Sequence, residues 1–316
     1  MQGIGVFTAL LFGMLFFGSG TPTAKIVTEG FPIFLAPFLR LLLAALLTTP
    51  LLIIYRRELR GISQRNWLLI GGIGAIGLVA FSLFLLSGMA LVSGVIGAVV
   101  MSTSPAAVAV GAAWFLGDTL GPAKLMAVGL SIAGVLVINT SGAEAGGQGV
   151  WISILGSLLM LGAVASATAY SLFAKRVTSE VRPVLLIPLA AWIAVGIFAA
   201  PGLYQAANFD FGAPSIEQWS ALAWWGVGPY GIGTMLWFYG LKSVQASTAA
   251  GFMGAMPASG LLVSYVWLGE AFHWIHLVGF ALVLAAIALV AWAHQHGKAA
   301  AGAKGKAFRS STIYPC

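Results

Sequence analysis

The chain has 316 residues, of which 60% are hydrophobic and 7% charged, with a formal net charge of +7. An average soluble domain is about 25% charged, so 15 basic and 8 acidic side chains are too few to cover a soluble surface of this size. That excludes a soluble globular protein, a nucleic-acid-binding protein, a disordered chain and a disulfide scaffold. An all-α integral membrane protein remains, because a membrane β-barrel would alternate apolar and polar residues and these segments are apolar all round.

A bilayer-crossing helix needs about 20 apolar residues. Ten such segments are expected, near 3–22, 32–55, 67–87, 91–116, 120–139, 150–173, 184–204, 217–239, 244–268 and 272–293. The first lacks a basic start and is followed by nine more, so it reads as a span and not as a cleaved signal. The connections are too short for a soluble domain. The tail, residues 294–316, is basic and low in hydrophobicity, and is expected to be disordered.

Lys and Arg set the orientation. With the N-terminus in the cytoplasm, Arg56, Arg57, Arg60, Arg65, Lys124, Lys175, Arg176, Arg182, Lys242, Lys298, Lys304, Lys306 and Arg309 all fall inside; Lys25 falls outside and Arg40 lies within the second span. Both termini are expected in the cytoplasm. The positive charge is therefore a topology signal, with the lipid bilayer as partner and no nucleic acid. The single cysteine, Cys316, ends the chain and carries no redox information.

The two halves of the sequence repeat. Ala24-Lys25 aligns with Ala174-Lys175 at an offset of 150; Pro32, Pro37 and Pro50 align with Pro183, Pro188 and Pro201 at 151. Trp67, Gly74, Gly88, Met101, Pro105 and Leu116-Gly117 align with Trp219, Gly226, Gly240, Met253, Pro257 and Leu268-Gly269 at 152, and Asp118 then meets Glu270. Five spans per repeat make the halves enter the membrane from opposite sides. Inverted repeats of this kind are the architecture of alternating-access carriers, with the substrate near the midplane. The expected organisation is a first five-helix repeat over 1–140, a second over 149–293, and the tail.

Lys25 ending span one, Arg40 early in span two, and Pro105…Leu116-Gly117-Asp118 repeated as Pro257…Leu268-Gly269-Glu270 resemble the drug/metabolite transporter superfamily, EamA type, over residues 3–293. The one departure is Asp118, where the family usually has Glu. The resemblance implies ten helices in two inverted repeats and the transport of small metabolites, often by export. Within the family, the chain looks most like the bacterial aromatic amino-acid exporters of the inner membrane.

Arg40 is the only charge well inside a span. It reads either as an anchor for a substrate carboxylate or as a side chain held by exposed carbonyls. No acid lies at depth, which argues against a carboxylate proton relay. Pro105 and Pro257 are expected to bend spans four and nine mid-way and to act as gating elements. Met101, with Ser102 beside it, and Met253 precede those bends and suit apolar side chains. Tyr230, Thr234 and Trp237 recur at i, i+4 and i+7, one face of span eight; Ser166 and Tyr170 share a face of span six; repeat symmetry adds Ser82. Asp118 and Glu270, each just before a span, read as helix caps, and Lys25 as a side chain reaching the interface. His273 and His276 are three apart with no third ligand in view, so neither a metal site nor a cofactor is expected, and no catalytic constellation is visible. The expected function is export of small amino acids, preferably aromatic or apolar, by a carrier working as a monomer. The alternative is a carrier of the same family for a nucleobase, nucleoside or drug-like cation.

Overall fold

The computed structural model describes residues 2–116, 121–140, 149–241, 252, 255–289 and 292. Among them the regular structure is entirely helical. Apolar chains in lipid require this, because a helix pairs its backbone groups internally where no water is available. The elements are α1 (Gln2–Gly30), α2 (Leu35–Ile54), the short α3 (Arg56–Leu59), α4 (Gln64–Gly72), α5 (Phe81–Met89), α6 (Gly94–Met101), α7 (Ser104–Leu116) and α8 (Pro122–Thr140). They continue with α9 (Gly149–Val177), α10 (Pro183–Ala207), α11 (Ile216–Trp225), α12 (Thr234–Leu241) and α13 (Ala255–Val266). A last apolar helix runs Trp274–Leu289.

Six helices among the described residues are long and apolar enough to cross a membrane: Gly5–Gly30, Leu35–Ile54, Gln64–Met89, Gly94–Phe115, Trp151–Val177 and Pro183–Ala207. The first helix runs eight residues past its expected end at 22, through Thr23, Lys25 and Thr28. These polar residues do not break it, because Thr23 and Thr28 donate to their own helix carbonyls, Ser19 O and Lys25 O, at 2.7 and 2.6 Å.

Two departures from α geometry occupy corresponding places. Residues Ile73–Ala80 (π1, between α4 and α5) and Gly226–Gly233 (π2, between α11 and α12) are both π-helical. π segments are rare and concentrate at functional sites. Both are rich in glycine, and π2 also carries Pro229.

In lipid the helices gain little from hydrophobic burial, so close packing through small residues holds them together. α1 packs mainly against α11, π2, α12 and α13, while α9 packs against α4, π1, α5 and α7. Each long helix thus leans on the other half of the chain. The most extensive pairing is α2 with α10, where Gly202 lies under Phe38 and Gln205 Oε1 accepts from Phe34 N and Leu35 N at 2.9 Å, capping α2. Glycines permit the closest approaches: Gly13 meets the Trp237 backbone, and Gly18 sits against Met256 O.

The regular helix of span four is interrupted at Ser102-Thr103, between α6 and α7. Pro105 is the second residue of α7, where its missing N–H leaves no bond unmade. Pro257 lies within α13 and is buried.

Candidate functional site

Arg40 sits in α2 and is 5% exposed, the only buried Lys, Arg, Asp or Glu among the described residues. Its guanidinium lies over the Trp225 ring, 3.9 Å from the centroid, a contact that stabilises a desolvated cation. Nε and Nη1 are enclosed and have no hydrogen-bond partner. The carbonyl-bound alternative for Arg40 is therefore not what the structure shows for these two donors. An unpaired buried charge is costly, and Arg is built to close a two-pronged bond with a carboxylate.

Gly226 brings this site together. A Cβ there would fall 2.9 Å from Arg40 O, so glycine lets π2 lie directly on α2. That places Tyr230 within electrostatic reach of both Arg40 and Tyr170. The Tyr230 hydroxyl donates to Ile187 O of α10 at 2.9 Å. Tyr170 of α9 packs against Gly77 of π1. One turn or so further along, Ser82 of α5 is fully buried, and its hydroxyl has no partner.

The remaining sequence-derived residues divide. Thr234 is buried and donates to Pro229 O, five residues back, at 3.4 Å. Ser166 is buried with its hydroxyl turned onto Gly162 O of its own helix. Met101 and Ser102 are buried at the end of α6, and Ser102 donates to Ala98 O. Trp237 is half-buried on α12. Met253 and Asp118 lie outside the described residues. Trp225 is the site residue that α-helical spacing misses. Trp225 and Tyr230 are five apart, about 140° on an α-helix, but the π segment between them has an i to i+5 repeat.

At the expected outer end, two charged side chains find backbone partners. Glu270 does not cap the helix that follows it. Its two carboxylate oxygens accept from Gly94 N and Val95 N, the first turn of α6 in the other half of the chain, at 2.5 and 2.9 Å. Gly269, at φ +64°, supplies the left-handed turn that swings Glu270 back after α13. Lys25 donates to Met89 O at 2.9 Å, closing the end of α5.

Burial pushes the Glu270 carboxyl above the ordinary carboxylate range, against the lowering effect of Val95 N, Gly94 N and Lys25. With the folded pKa above the unfolded one, the ionised form costs stability at neutral pH, and that cost is relieved as pH falls through the folded value. Glu270→Ala strips two N–H groups of their acceptors and should cost about 1–3 kcal/mol. It should also flatten the dependence of the thermal midpoint on pH between mildly acidic and neutral conditions. An unchanged pH profile in the variant would show that another group sets it.

The EamA-like transporter family model matches residues 3–140 and again 154–292. The chain belongs to the EamA-like transporter family. It is a multi-pass membrane transporter. Among its relatives is the uncharacterized transporter YetK of Bacillus subtilis, 25% identical over 285 residues and covering 90% of this chain and 86% of YetK. A protein of Streptantibioticus cattleyicolor, named a probable terminal-alkyne amino-acid exporter, is 24% identical over 218 residues, covering 69% of this chain and 70% of that one. A solved crystal structure aligns with a TM-score of 0.62 at 20% identity, over 89% of this chain and 96% of the other, a likeness of fold.

Proposed function

We propose that this transporter exports small amino acids, preferably with aromatic or other apolar side chains, across the bacterial inner membrane. It does so by alternating access between two inverted five-helix repeats, residues 1–140 and 149–293, with ten spans, both termini and the basic tail in the cytoplasm, working as a monomer. The observation that carries the substrate reading is the buried Arg40, with Nε and Nη1 unpaired and no acid beside it among the described residues. A substrate carboxylate supplies the missing partner. Tyr170, Tyr230 and the edge of Trp225 offer ring surface for an apolar or aromatic side chain, and Ser82 offers a hydroxyl for the polar head. The same cation disfavours a drug-like cation as substrate. The name of the S. cattleyicolor relative agrees with an amino-acid substrate.

The two π segments support the alternating-access reading. Each lies where two elements of the opposite half meet it, π1 against α9 and α10, π2 against α1 and α2. An extra residue in the turn can migrate along a helix, which changes the direction of the side chains beyond it without unfolding the helix. With no carboxylate buried inside a helix among the described residues, substrate moves down its own gradient or in exchange.

Counterflow in proteoliposomes tests this. Vesicles loaded with unlabelled phenylalanine, methionine, threonine, adenine or tetraphenylphosphonium are followed for labelled uptake, with and without a pH gradient. Exchange of phenylalanine and methionine without a gradient is expected. Exchange of adenine or the cation alone would overturn the substrate, and accumulation driven by pH alone would overturn the absence of a proton relay.

A further inference from the structure

The outward side of α2 is one apolar stripe. Leu43, Leu46, Leu47, Pro50, Ile53 and Ile54 are exposed, at spacings of three and four that keep them on one helix face. Ala44, Ala45 and Thr48, on the other side, are buried. From Leu43 to Ile54 the stripe is about 16 Å long at the α-helical rise. That is the depth of one leaflet in a hydrocarbon core about 30 Å thick.

The stripe ends in a cluster of cations. Arg57 stands four residues beyond Ile53, and Arg56, Arg57 and Arg60 together line a cavity of about 390 Å³. All three side chains are exposed. The acid in their midst, Glu58, is engaged elsewhere: its Oε2 lies 3.0 Å from Nε of Arg182, the N-cap residue of α10. No ion pair joins Arg56, Arg57 or Arg60 to an acid among the described residues. Past the loop, Trp67 and Leu68 of α4 are exposed, and a tryptophan at the end of a span marks the headgroup level. The tendency of basic residues to collect on one side of the membrane explains that arginines are present. It does not explain why three of them converge on one cavity, where like charges repel.

The junction of stripe and cavity selects the occupant. A soluble anion engages the arginines and leaves the stripe unused. An uncharged lipid covers the stripe and leaves the arginines unpaired. A zwitterionic headgroup brings a phosphate but also a cation that these arginines repel. An anionic phospholipid engages both surfaces, and the guanidinium fork matches its phosphate oxygens.

We propose that this junction is a binding site for an anionic phospholipid, with its phosphate among Arg56, Arg57 and Arg60 and an acyl chain along the α2 stripe. In the orientation proposed above, the lipid belongs to the cytoplasmic leaflet. Arg40 is buried nearer the other end of α2, so the site is separate from that of the substrate.

The test uses the full chain in detergent micelles, with bound lipids counted by native mass spectrometry. Phosphatidylglycerol and phosphatidylcholine with the same acyl chains are titrated separately. Phosphatidylglycerol should bind about tenfold more tightly. Its chain-free headgroup, glycerophosphoglycerol, should fail to displace it at equal concentration. The triple variant Arg56→Gln, Arg57→Gln, Arg60→Gln should bind the two lipids equally. A control triple, Arg65→Gln, Lys175→Gln, Arg176→Gln, removes the same charge from other exposed positions and should keep the preference. Thermal midpoint and counterflow show that each variant is folded. Equal binding of the two lipids by the unaltered protein would overturn the proposal without any variant. Displacement by the free headgroup would make the site one for a soluble anion and overturn the lipid. A preference that survives the first triple, or that the control triple also removes, would make it a property of overall charge and overturn the site.

Discussion

Arg40→Met is expected to abolish transport and make the protein more stable. The unaltered chain holds a desolvated guanidinium with two unpaired donors, and the Trp225 ring beside it offsets part of that cost. Replacing an uncompensated buried charge by an apolar side chain of similar length should raise stability by roughly 1–4 kcal/mol. The same change removes a charge-assisted, two-pronged bond to a carboxylate. Such bonds are worth about 3 kcal/mol, so exchange should fall about 100-fold or more. Arg40→Lys should rescue only part of it, because an ammonium keeps the charge but loses the fork and the stacking on Trp225. Thermal midpoints and counterflow rates on the same preparations check both halves. A variant that is less stable and still transports would make Arg40 a structural residue.

Gly18→Ala should be the most damaging single methyl in α1. A Cβ at Gly18 would fall onto Met256 O of α13, with Ser259 Cβ also within 2.9 Å. Backbone cannot move aside as a side chain can. Ser259 also donates to Leu15 O at 2.6 Å, so pushing α1 away from α13 breaks that bond as well. Roughly 3 kcal/mol or more of destabilisation is expected. Gly129→Ala is the matched control. Gly129 is on α8, with nothing within 4 Å of the added atom, so it should be neutral or gain about 0.5–1 kcal/mol from helix propensity. Thermal unfolding of the two variants side by side decides. Equal midpoints would mean that α1 and α13 have slack that the structure does not show.

Much of the molecule is legible in its composition. Scarcity of charge and the apolar runs give a helical membrane chain, and Lys25, Arg40 and the repeated Leu-Gly-acid motif carry the resemblance to the family to which the chain belongs. Arg40 stands out because a charge within a span is rare. Other parts are hidden for identifiable reasons. The π segments obey no hydrophobic period, so Trp225 and Tyr230 read as lying on different faces when both approach Arg40. The target of Glu270 is 176 residues away in the chain; local spacing marks Glu270 as a cap, but the helix it caps depends on the tertiary fold. The serine and threonine hydroxyls that satisfy themselves on their own helices, Ser102 and Ser166 among them, look equally polar in the sequence and are less available to a substrate.

The pairing of a substrate carboxylate with Arg40 is central to this account, and competition within one chemical frame tests it most directly. Vesicles loaded with phenylalanine are offered labelled phenylalanine in the presence of excess unlabelled phenylalanine, phenylalaninamide or phenethylamine. Phenylalanine should compete fully, while the two molecules without a carboxylate should fail to compete. Equal competition by the amide would contradict the pairing and leave Arg40 without its proposed role.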